Sequence, residues 1–330
     1  MPQIKPEIET FARIKVIGVG GSGGSAITRM MESRVRGVDF IAINSDAQAL
    51  HHHKATHKIH IGKNLTRGLG AGMNPEIGRQ AAEENRDEMH EAVKGADMIF
   101  ITCGLGGGTG SGAAPIVAEV AKDSGALTVG VVTKPFGFEG AQRSKIADES
   151  WAKIRDRVDA LITIPNDKLF SIIQKDTSLV QAFTICDDVL KQAVQGISDL
   201  ITMPGLINVD FADVRAVMQD AGSALMGVGV GSGENRAVDA AKAAISSPLL
   251  DISIDGAKGV LFNVSGGHDM SMWEIHEAAK VITDSIDREA KLIFGAVHDE
   301  RLRKGELKIT VIATGFGGLP RNVEGKKTFL

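Results

Sequence analysis

The chain has 330 residues, of which 43% are hydrophobic and 24% charged, and its formal net charge is −4 at pH 7. This composition is typical of a globular protein long enough for two domains, and the slightly acidic balance argues against a dedicated nucleic-acid binder. No run approaches the roughly 20 apolar residues that span a bilayer, and Cys103 and Cys186 both lie in apolar segments. We therefore expect a cytoplasmic chain with reduced cysteines, without direct membrane insertion and without a nucleic-acid partner.

The first half of the chain alternates short apolar strands with helices. The predicted strands cover residues 13–18, 39–44, 58–61, 97–103, 127–133 and 160–164. Helical spacing of apolar residues predicts helices over 75–94 and 141–157, and two more follow glycine-rich segments, over 26–32 and 113–122. Strands that alternate with helices favour a parallel, doubly wound α/β sheet, in which ligands bind at the carboxyl ends of the strands.

A long helix and a second, smaller unit follow. Apolar residues spaced by three and four predict a helix over about 178–201, which stops before Met203-Pro-Gly205. The pattern then predicts helices near 213–221, 234–246 and 271–287 and strands near 224–230, 259–265 and 307–315. We therefore predict a Rossmann-like α/β domain over 1–177, a central helix over 178–203, a smaller α+β domain over 204–316 and a short tail over 317–330.

A glycine-rich segment near the start has a dinucleotide-binding pattern. Gly18, Gly20 and Gly23 follow a predicted strand, precede a predicted helix and satisfy G-x-G-x-x-G. The pattern also asks for an acidic residue at the end of the next strand to bind ribose, but that strand ends in Asn44, with Asp46 two residues later. An NAD-dependent oxidoreductase is therefore kept as an alternative that Asn44 weakens.

A second segment, Gly104-Leu-Gly-Gly-Gly-Thr-Gly-Ser-Gly112, lies between an apolar strand and a helix. Its free backbone N–H groups and the positive end of the following helix would together form a phosphate cradle. The chain has no Walker motif, so amides and the hydroxyls of Thr109 and Ser111 would hold phosphate without a lysine. A second such cradle counts against the oxidoreductase alternative.

Further strand ends carry side chains that suit a nucleotide. A third glycine-rich segment, 68–75, precedes a helix. Glu139 can accept hydrogen bonds from ribose hydroxyls, and Arg143 can neutralise phosphate or stack on a base. Asn166 and Asp187 suit a purine edge, because a carboxylate that accepts from both N1–H and the 2-amino group of guanine rejects adenine.

Two carboxylates lie beyond the long helix. Asp187 is near the start of this helix, whereas Asp210 and Asp213 follow its end, and a rise of about 1.5 Å per residue separates them by roughly 30 Å. Asp210 and Asp213 would therefore reach a nucleotide held by a neighbour stacked head-to-tail, an arrangement that generates filaments. A carboxylate pair facing a γ-phosphate can orient a water for attack, directly or through Mg²⁺.

A histidine-rich segment, His51-His-His-Lys-Ala-Thr-His57, is followed by His60. Three consecutive histidines point in different directions, and no cysteine or paired carboxylate completes a coordination shell. We predict a solvated loop here and no metal site built from protein side chains.

The motifs together resemble those of the FtsZ branch of the tubulin/FtsZ family. The resemblance covers about residues 12–316 and rests on the segments at 18–24 and 104–112, Asn44-Ser-Asp-Ala-Gln-Ala-Leu50, Phe138-Glu-Gly140, Ile164-Pro-Asn-Asp-Lys168 and Asn208-Val-Asp-Phe-Ala-Asp213. It implies a tubulin-like fold and a GTPase that binds GTP or GDP, with Mg²⁺ held mainly by the nucleotide phosphates. It also implies head-to-tail protofilaments in a ring at the division site, with division-ring proteins and membrane tethers as partners.

The resemblance also assigns residues to the nucleotide. It places Gly20, Gly21, Gly107, Gly108, Thr109 and Gly110 at the phosphates, Ala71 and Gly72 near the γ-phosphate, Glu139 at the ribose, Arg143 near the phosphates or base, and Asn166, Phe183 and Asp187 at guanine. Ser22, Gly24, Ser25, Asn44, Gly104, Gly106, Thr133 and Pro135 complete the predicted nucleotide site. Asn208, Asp210 and Asp213 would act on the GTP of the next subunit.

Two points stay open from the sequence. Family members usually end in a linker and a peptide that binds membrane tethers, so the short segment 317–330 leaves the tether contact undefined. A protein that binds GTP and assembles without turnover is a further alternative, which an Asp210→Ala variant separates from the enzyme.

Overall fold

The computed structural model describes residues 12–316, apart from 172, 175, 204, 248–253 and 300. The predicted tail over 317–330 lies outside the described residues. The strands are β1 (Ile14–Val19), β2 (Val38–Asn44), β3 (His57–His60), β4 (Met98–Gly104), β5 (Leu127–Lys134), β6 (Ala160–Pro165), β7 (Gly222–Ser232), β8 (Gly259–Gly266), β9 (Lys291–His298) and β10 (Glu306–Thr314).

All ten of these strands form one sheet in the order β3-β2-β1-β4-β5-β6-β7-β10-β8-β9. Strands β1 to β6 pair in parallel, and β7 continues the sheet beside β6 through Ala160–Ile162. Strand β10 runs antiparallel between β7 and β8. The parallel half places the carboxyl ends of these six neighbouring strands at one edge, where a doubly wound sheet binds its ligands.

Helices cover both faces of the sheet. They are α1 (Gly20–Glu32), α2 (Ala47–His52), α3 (Lys63–Thr66), α4 (Pro75–Glu84), α5 (Arg86–Val93), α6 (Gly108–Asp123), α7 (Ala141–Arg155), α8 (Leu179–Thr202), α9 (Phe211–Met218), α10 (Arg236–Ile245) and α11 (Met272–Thr283). One apolar core joins α1, α8 and α9 to the sheet, and a second joins α4 to α7 to the opposite face. A third core fills the space between α10, α11 and the antiparallel strands. Among the described residues, no helix has the length and apolar character needed to cross a membrane.

The central helix α8 is confirmed at nearly its predicted bounds. Ser178 caps it through a capping box with Gln181, and Leu190, Val194 and Ile197 on its buried face are fully enclosed. At about 1.5 Å per residue its 24 residues span about 36 Å. The helix therefore links the ligand edge of the sheet to the segment that begins at Gly205.

The six strands predicted in the first half are confirmed to within one residue, but several other predictions were wrong. The helix predicted over 75–94 is two helices, because Asn85 leaves helical geometry at φ −115° and its side chain bonds Gly62 N and Glu88 instead. The helix predicted to run to 287 ends at Thr283. Strand β9, whose first residues resemble a continuation of that helix, was not predicted, and neither were α2 and α3.

Two of the three glycine-rich segments, predicted to be loops, are helical over part of their length, whereas residues 68–74 form a loop as predicted. Helix α1 begins at Gly20 and α6 at Gly108 rather than at residues 26 and 113. Glycine lowers helix propensity by about 1 kcal/mol relative to alanine, which is why the pattern placed these turns outside the helices. Packing against the neighbouring backbone overrides that preference here.

Candidate functional site

A cavity of about 550 Å³ opens at the carboxyl ends of β1, β2, β4, β5 and β6. This volume lies in the range of small-molecule sites. Nineteen of the predicted nucleotide residues line it: Gly20, Gly21, Ser22, Ser25, Asn44, Ala71, Gly72, Gly104, Gly107, Gly108, Thr109, Gly110, Thr133, Pro135, Glu139, Arg143, Asn166, Phe183 and Asp187. The sheet edge thus brings together residues from eight separate segments, although their contacts with a nucleotide stay a prediction.

Two helix N-termini face this cavity, and neither has a side-chain cap. Helix α1 starts at Gly20 and α6 at Gly108, and their N-cap residues, Val19 and Gly107, make no side-chain hydrogen bond to the helix. The first N–H groups of a helix need partners from outside, and the helix dipole makes an anion the favoured partner. Two such ends on one cavity have the geometry and charge that suit several phosphate groups.

Close backbone contacts hold the two helix ends together. Gly20 has a φ of +74°, and a Cβ there would lie 3.0 Å from the Gly110 nitrogen. A Cβ on Gly108 would collide with the carbonyl oxygen of Gly72. Glycine is required at both positions for steric reasons, before any ligand is considered.

In the 104–112 segment, some of the backbone amides that were predicted to be free are hydrogen-bonded within the protein. Gly106 N donates to Ser111 Oγ at 2.8 Å, and Gly108 N donates to Gly72 O at 2.9 Å. Gly106 does not line the cavity, which corrects its predicted place in the site. Ser111, predicted as a phosphate ligand, is buried, and its hydroxyl oxygen accepts the hydrogen bond from Gly106 N. Gly107, Thr109 and Gly110 are the residues that offer amides at this end.

Gly24 was also placed wrongly. It does not line the cavity, because it lies under the ring of His53, where a Cβ would collide with Nε2. The glycine therefore makes room for a histidine rather than for a ligand. Burial of that ring lowers the pKa of His53.

The 68–74 segment closes one side of the cavity and is fixed to β2 and α6. Ala47 N donates to Gly68 O at 3.1 Å, Asp46 and Leu69 form an antiparallel bridge, and Gly72 O accepts from Gly108 N. Asp46 also caps α2 through Ala49 N at 2.9 Å. The segment is thus attached directly to the N-terminus of α6.

A paired test separates the steric and ligand-binding roles of these glycines. We expect Gly108→Ala to destabilise the fold by about 1–3 kcal/mol, because its Cβ displaces the Gly72 carbonyl. Gly21 lines the cavity but has nothing within 4 Å of a Cβ, so Gly21→Ala should unfold like the parent and still bind the nucleotide implied by the sequence resemblance more weakly. Thermal unfolding and equilibrium binding measure the two effects, and equal destabilisation by both variants would contradict this assignment.

The far end of the cavity carries polar groups without partners. Asn166 is buried, and its Oδ1 has no hydrogen-bond partner among the described residues. Asp187 lies on α8 with its carboxylate in the cavity, and burial raises its pKa to about 6 despite the charge of Arg29. Phe183, one turn earlier, contacts Phe136 edge-on at 5.8 Å between ring centroids. A buried acceptor, a carboxylate and an aromatic ring together suit a base with several N–H donors.

Glu139 and Arg143 lie between the two ends. Glu139 accepts from Phe136 N at 2.9 Å and from Arg143 at 2.7 Å. Each carboxylate oxygen retains a second lone pair, so Glu139 can still accept from ribose hydroxyls. Arg143 is fixed at the rim of the cavity by the same ion pair.

Eight residues line the cavity without having been predicted: Val19, Asp46, Ala49, Leu69, Gly70, Leu105, Cys186 and Leu190. Cys186 and Leu190 share the α8 face of Phe183 and Asp187, so helical spacing would have found them. Burial raises the pKa of the Cys186 thiol to about 12, which leaves it uncharged at neutral pH.

Asn208, Asp210 and Asp213 do not line the cavity. Asp210 caps α9 by accepting from Ala212 N at 3.0 Å, and Asp213 lies in the first turn of α9. Asn208 Oδ1 accepts from Gly205 N at 2.7 Å. All three side chains are exposed, at the opposite end of α8 from Asp187.

Backbone pairing anchors this second cluster. Leu206 N donates to Ala296 O at 2.8 Å, and Ile207 forms an antiparallel bridge with Ala296 of β9. The 205–213 segment, as we call the stretch from Gly205 to Asp213, is thereby held against the edge of the sheet. Its carboxylates therefore project from a fixed base into solvent.

Comparisons with known proteins agree with this geometry. The family model for the GTPase domain of the tubulin/FtsZ family matches residues 13–174, and that for the C-terminal domain of the FtsZ family matches residues 222–317. The structure of an FtsZ dimer from M. jannaschii is 48% identical, with a TM-score of 0.89 over 93% of this chain and 89% of that chain. The chain belongs to the tubulin/FtsZ family.

Other solved structures share the same tubulin-like fold. A tryptophan-to-tyrosine point mutant of M. jannaschii FtsZ is 48% identical, with a TM-score of 0.89 over 93% of this chain and 92% of that one. CetZ2 from Haloferax volcanii, described as a GTPγS-bound protofilament, is 22% identical, with a TM-score of 0.77 over 91% of this chain and 92% of that one. That second likeness shows the fold alone.

Membership of the tubulin/FtsZ family makes the chain a GTPase and decides between the alternatives. The oxidoreductase prediction is wrong, and so is binding without turnover. Asn44, where a dinucleotide fold would have its ribose acid, is buried and accepts from Asp46 N at 3.2 Å. Its side chain is thus part of the turn between β2 and α2.

The histidine-rich segment is only in part the solvated loop that was predicted: residues 53–56 form a loop, and His51, His52 and His57 are exposed. His51 and His52 end helix α2, and His57 to His60 form β3. The described residues hold no group of three or more histidine, cysteine or acidic side chains that could hold a metal ion. The segment therefore contributes to the edge of the sheet.

Proposed function

We propose that the chain binds GTP with its phosphates at the N-termini of α1 and α6 and its guanine at Asn166 and Asp187. The observation that carries this proposal is one cavity with two uncapped helix N-termini at one end and unpartnered polar groups at the other. Ionised Asp187 would accept from N1–H and the 2-amino group, and Phe183 would cover the base. Adenine lacks this pair of donors, so ATP would leave a buried carboxylate unpaired.

The remaining lining residues complete the proposed contacts. Glu139 would accept from the ribose, and Arg143 would lie beside the phosphates or base. Ala71 and Gly72, attached to α6 at Gly108, would contact the γ-phosphate. Mg²⁺ would be held mainly by phosphate oxygens and would neutralise charge during hydrolysis.

We infer that hydrolysis takes place between subunits. Asn208, Asp210 and Asp213 lie at the opposite end of α8 from the cavity and are exposed, so a second copy stacked head-to-tail would bring them to the γ-phosphate. Asp210 and Asp213 would orient the attacking water. The junction would also cover exposed apolar side chains at the two ends, since Leu69 is 85%, Phe138 64% and Leu206 69% exposed.

Repeated head-to-tail contacts that do not close a ring give filaments. We propose that these protofilaments form the division ring in the cytoplasm at mid-cell, with other ring proteins and membrane tethers as partners. The support for this step is membership of the tubulin/FtsZ family and the FtsZ dimer among the similar structures.

Equilibrium binding of GTP, GDP and ATP tests the proposed site. We expect GTP and GDP to bind at least about 100-fold more tightly than ATP, because the hydrogen bonds at Asp187 reject the wrong base. Equal affinity for ATP would overturn the assignment of the base-binding end.

The affinity for GTP should fall as the pH is lowered below about 6. In the free protein the pKa of Asp187 is raised to about 6, and only its ionised form accepts two hydrogen bonds from guanine. At pH 5 we expect about tenfold weaker binding than at neutral pH. Because the phosphates titrate as well, the ratio of parent to Asp187→Asn affinity is the quantity to follow, and a ratio independent of pH would contradict the role of Asp187.

A further inference from the structure

The hydroxyl of Thr109 has a partner behind the cavity wall. Thr109 lies in the first turn of α6 and lines the cavity. Its Oγ1 is 2.7 Å from Ser45 Oγ. Ser45 follows the last residue of β2 and is fully buried, and it is not among the cavity-lining residues. The hydroxyl of Ser45 therefore acts on a ligand through Thr109 rather than by direct contact.

Ser45 is itself held firmly. Its carbonyl oxygen accepts from Thr66 Oγ1 at 3.1 Å and lies 3.3 Å from His60 Nε2. Its neighbours Asn44 and Asp46 are joined by a side-chain-to-backbone hydrogen bond of 3.2 Å. The hydroxyl of Ser45 is thus presented to Thr109 from a rigid turn.

The direction of the hydrogen bond follows from the partners available. In the part of the chain that the structure describes, Thr109 Oγ1 is the hydrogen-bond partner of the Ser45 hydroxyl. A buried donor without an acceptor is costly, so Ser45 donates and Thr109 accepts. The hydroxyl proton of Thr109 then points away from Ser45. Because Thr109 also lines the cavity, this proton is available to a ligand there.

We propose that Ser45 is a positioning residue for phosphate binding, which turns the Thr109 hydroxyl proton toward a phosphate oxygen of the bound nucleotide. This inference rests on the proposed nucleotide site. Without the hydrogen bond from Ser45, the Thr109 hydroxyl is free to rotate away from the phosphate. The phosphate would then lose a charge-assisted hydrogen bond.

A double-mutant cycle on nucleotide affinity tests the proposal. We expect Ser45→Ala to weaken GTP binding by roughly fivefold to tenfold and to leave guanosine, which has no phosphate, bound as in the parent. Ser45→Thr, which keeps the hydroxyl, should restore most of the GTP affinity. In a Thr109→Val background, Ser45→Ala should have almost no further effect.

Thr128→Val is the matched control, since it also removes a fully buried hydroxyl, one that donates to Ala126 O at the start of β5. It should bind GTP as the parent does. If thermal unfolding shows that Ser45→Ala is not folded, Ser45→Cys replaces it. This variant keeps the shape of the side chain with a weaker donor and should also weaken GTP binding.

Three results would overturn the inference: parental GTP affinity in folded Ser45→Ala, an equal loss for guanosine, or an undiminished effect of Ser45→Ala in the Thr109→Val background. Failure of the proposed site would instead show as absence of GTP binding in the parent. The two failures are therefore distinguishable.

Discussion

Asp210→Asn should abolish GTP turnover while GTP still binds. Asp210 is exposed at the far end of α8 and does not line the nucleotide cavity, so its loss should leave nucleotide affinity within about twofold. Removing a group that orients the attacking water should lower the turnover number by at least about 100-fold. Phosphate release at saturating GTP, together with equilibrium binding, measures both effects.

The choice of asparagine separates catalysis from helix capping. Asp210 accepts from Ala212 N as the N-cap of α9, and asparagine caps equally well, whereas Asp210→Ala should also cost about 1 kcal/mol of stability. Glu234→Gln, an exposed acidic residue before α10, is the control and should turn over GTP like the parent. Turnover by Asp210→Asn at the parental rate would disprove the assigned mechanism.

Asp187→Asn should reduce GTP affinity by roughly 100-fold or more, because the amide has one acceptor oxygen instead of two and leaves one of the two guanine donors unpaired. The amide can donate where the carboxylate accepted. The variant should therefore gain affinity for xanthosine triphosphate, whose base has a carbonyl oxygen in place of the 2-amino group. Competition binding with the two nucleotides measures the change in preference.

Asp188→Asn is the matched control for that variant. Asp188 is the next residue on α8, but it pairs with Lys191 at 2.8 Å and does not line the cavity. It should keep the parental affinity and preference for guanine. A similar loss in both variants would mean that the helix, rather than the Asp187 carboxylate, had been perturbed.

Asp187→Asn should stabilise the nucleotide-free protein. The folded state raises the pKa of Asp187 from its ordinary value of 3.8 to about 6 because of burial, so its ionised form destabilises the fold. This penalty is present in full above pH 6 and disappears as the pH falls below 4. At pH 7 Asp187→Asn should raise the free energy of unfolding by on the order of 1–2 kcal/mol, and a lower melting temperature would contradict this.

Strand positions and the identity of most lining residues could be predicted from the sequence. Parallel strands place their carboxyl ends together, so segments as distant as Gly20 and Asn166 were expected at one edge. The apolar runs also indicated the positions of all six strands up to β6. These features depend on local patterns that the chain displays directly.

The errors have a common physical origin in contacts between distant segments. Glycine-rich turns were predicted as loops because their helical state depends on packing between α1 and α6. Gly24 was assigned to the ligand because no local pattern shows the ring of His53 above it. Gly106 was assigned there because the bond from its amide to Ser111 is a feature of the folded turn. Strand β9 was missed although Leu292-Ile-Phe294 is an apolar run, and the first half of the strand is largely exposed in the fold.

For the polar groups at the Asn166 and Asp187 end of the cavity, the sequence predicts the residue types but not their environment. The sequence singled out Asn166 and Asp187 by residue type, but only the fold shows that Asn166 Oδ1 lacks a partner among the described residues and that burial raises the pKa of Asp187. Burial depends on how α8 packs against the sheet. The hydrogen-bonding groups were therefore predictable from the sequence, whereas their burial and the raised pKa of Asp187 were not.

The central claim, hydrolysis across a subunit junction, is tested most directly by mixing two inactive variants. Asp187→Asn retains the intact 205–213 segment but binds GTP poorly, and Asp210→Asn binds GTP but lacks the catalytic carboxylate. In a mixed filament, some junctions place the GTP of an Asp210→Asn subunit against the intact segment of its neighbour. With equal amounts mixing at random, about a quarter of the junctions have this arrangement.

GTP turnover in that mixture is the measurement we would make. At a GTP concentration that saturates the parent but not Asp187→Asn, we expect each variant to be inactive alone and mixing to restore up to about a quarter of the parental rate per subunit, with a threshold in protein concentration. A mixture that co-assembles, as seen by sedimentation, yet hydrolyses no more GTP than its separate components would contradict catalysis between subunits.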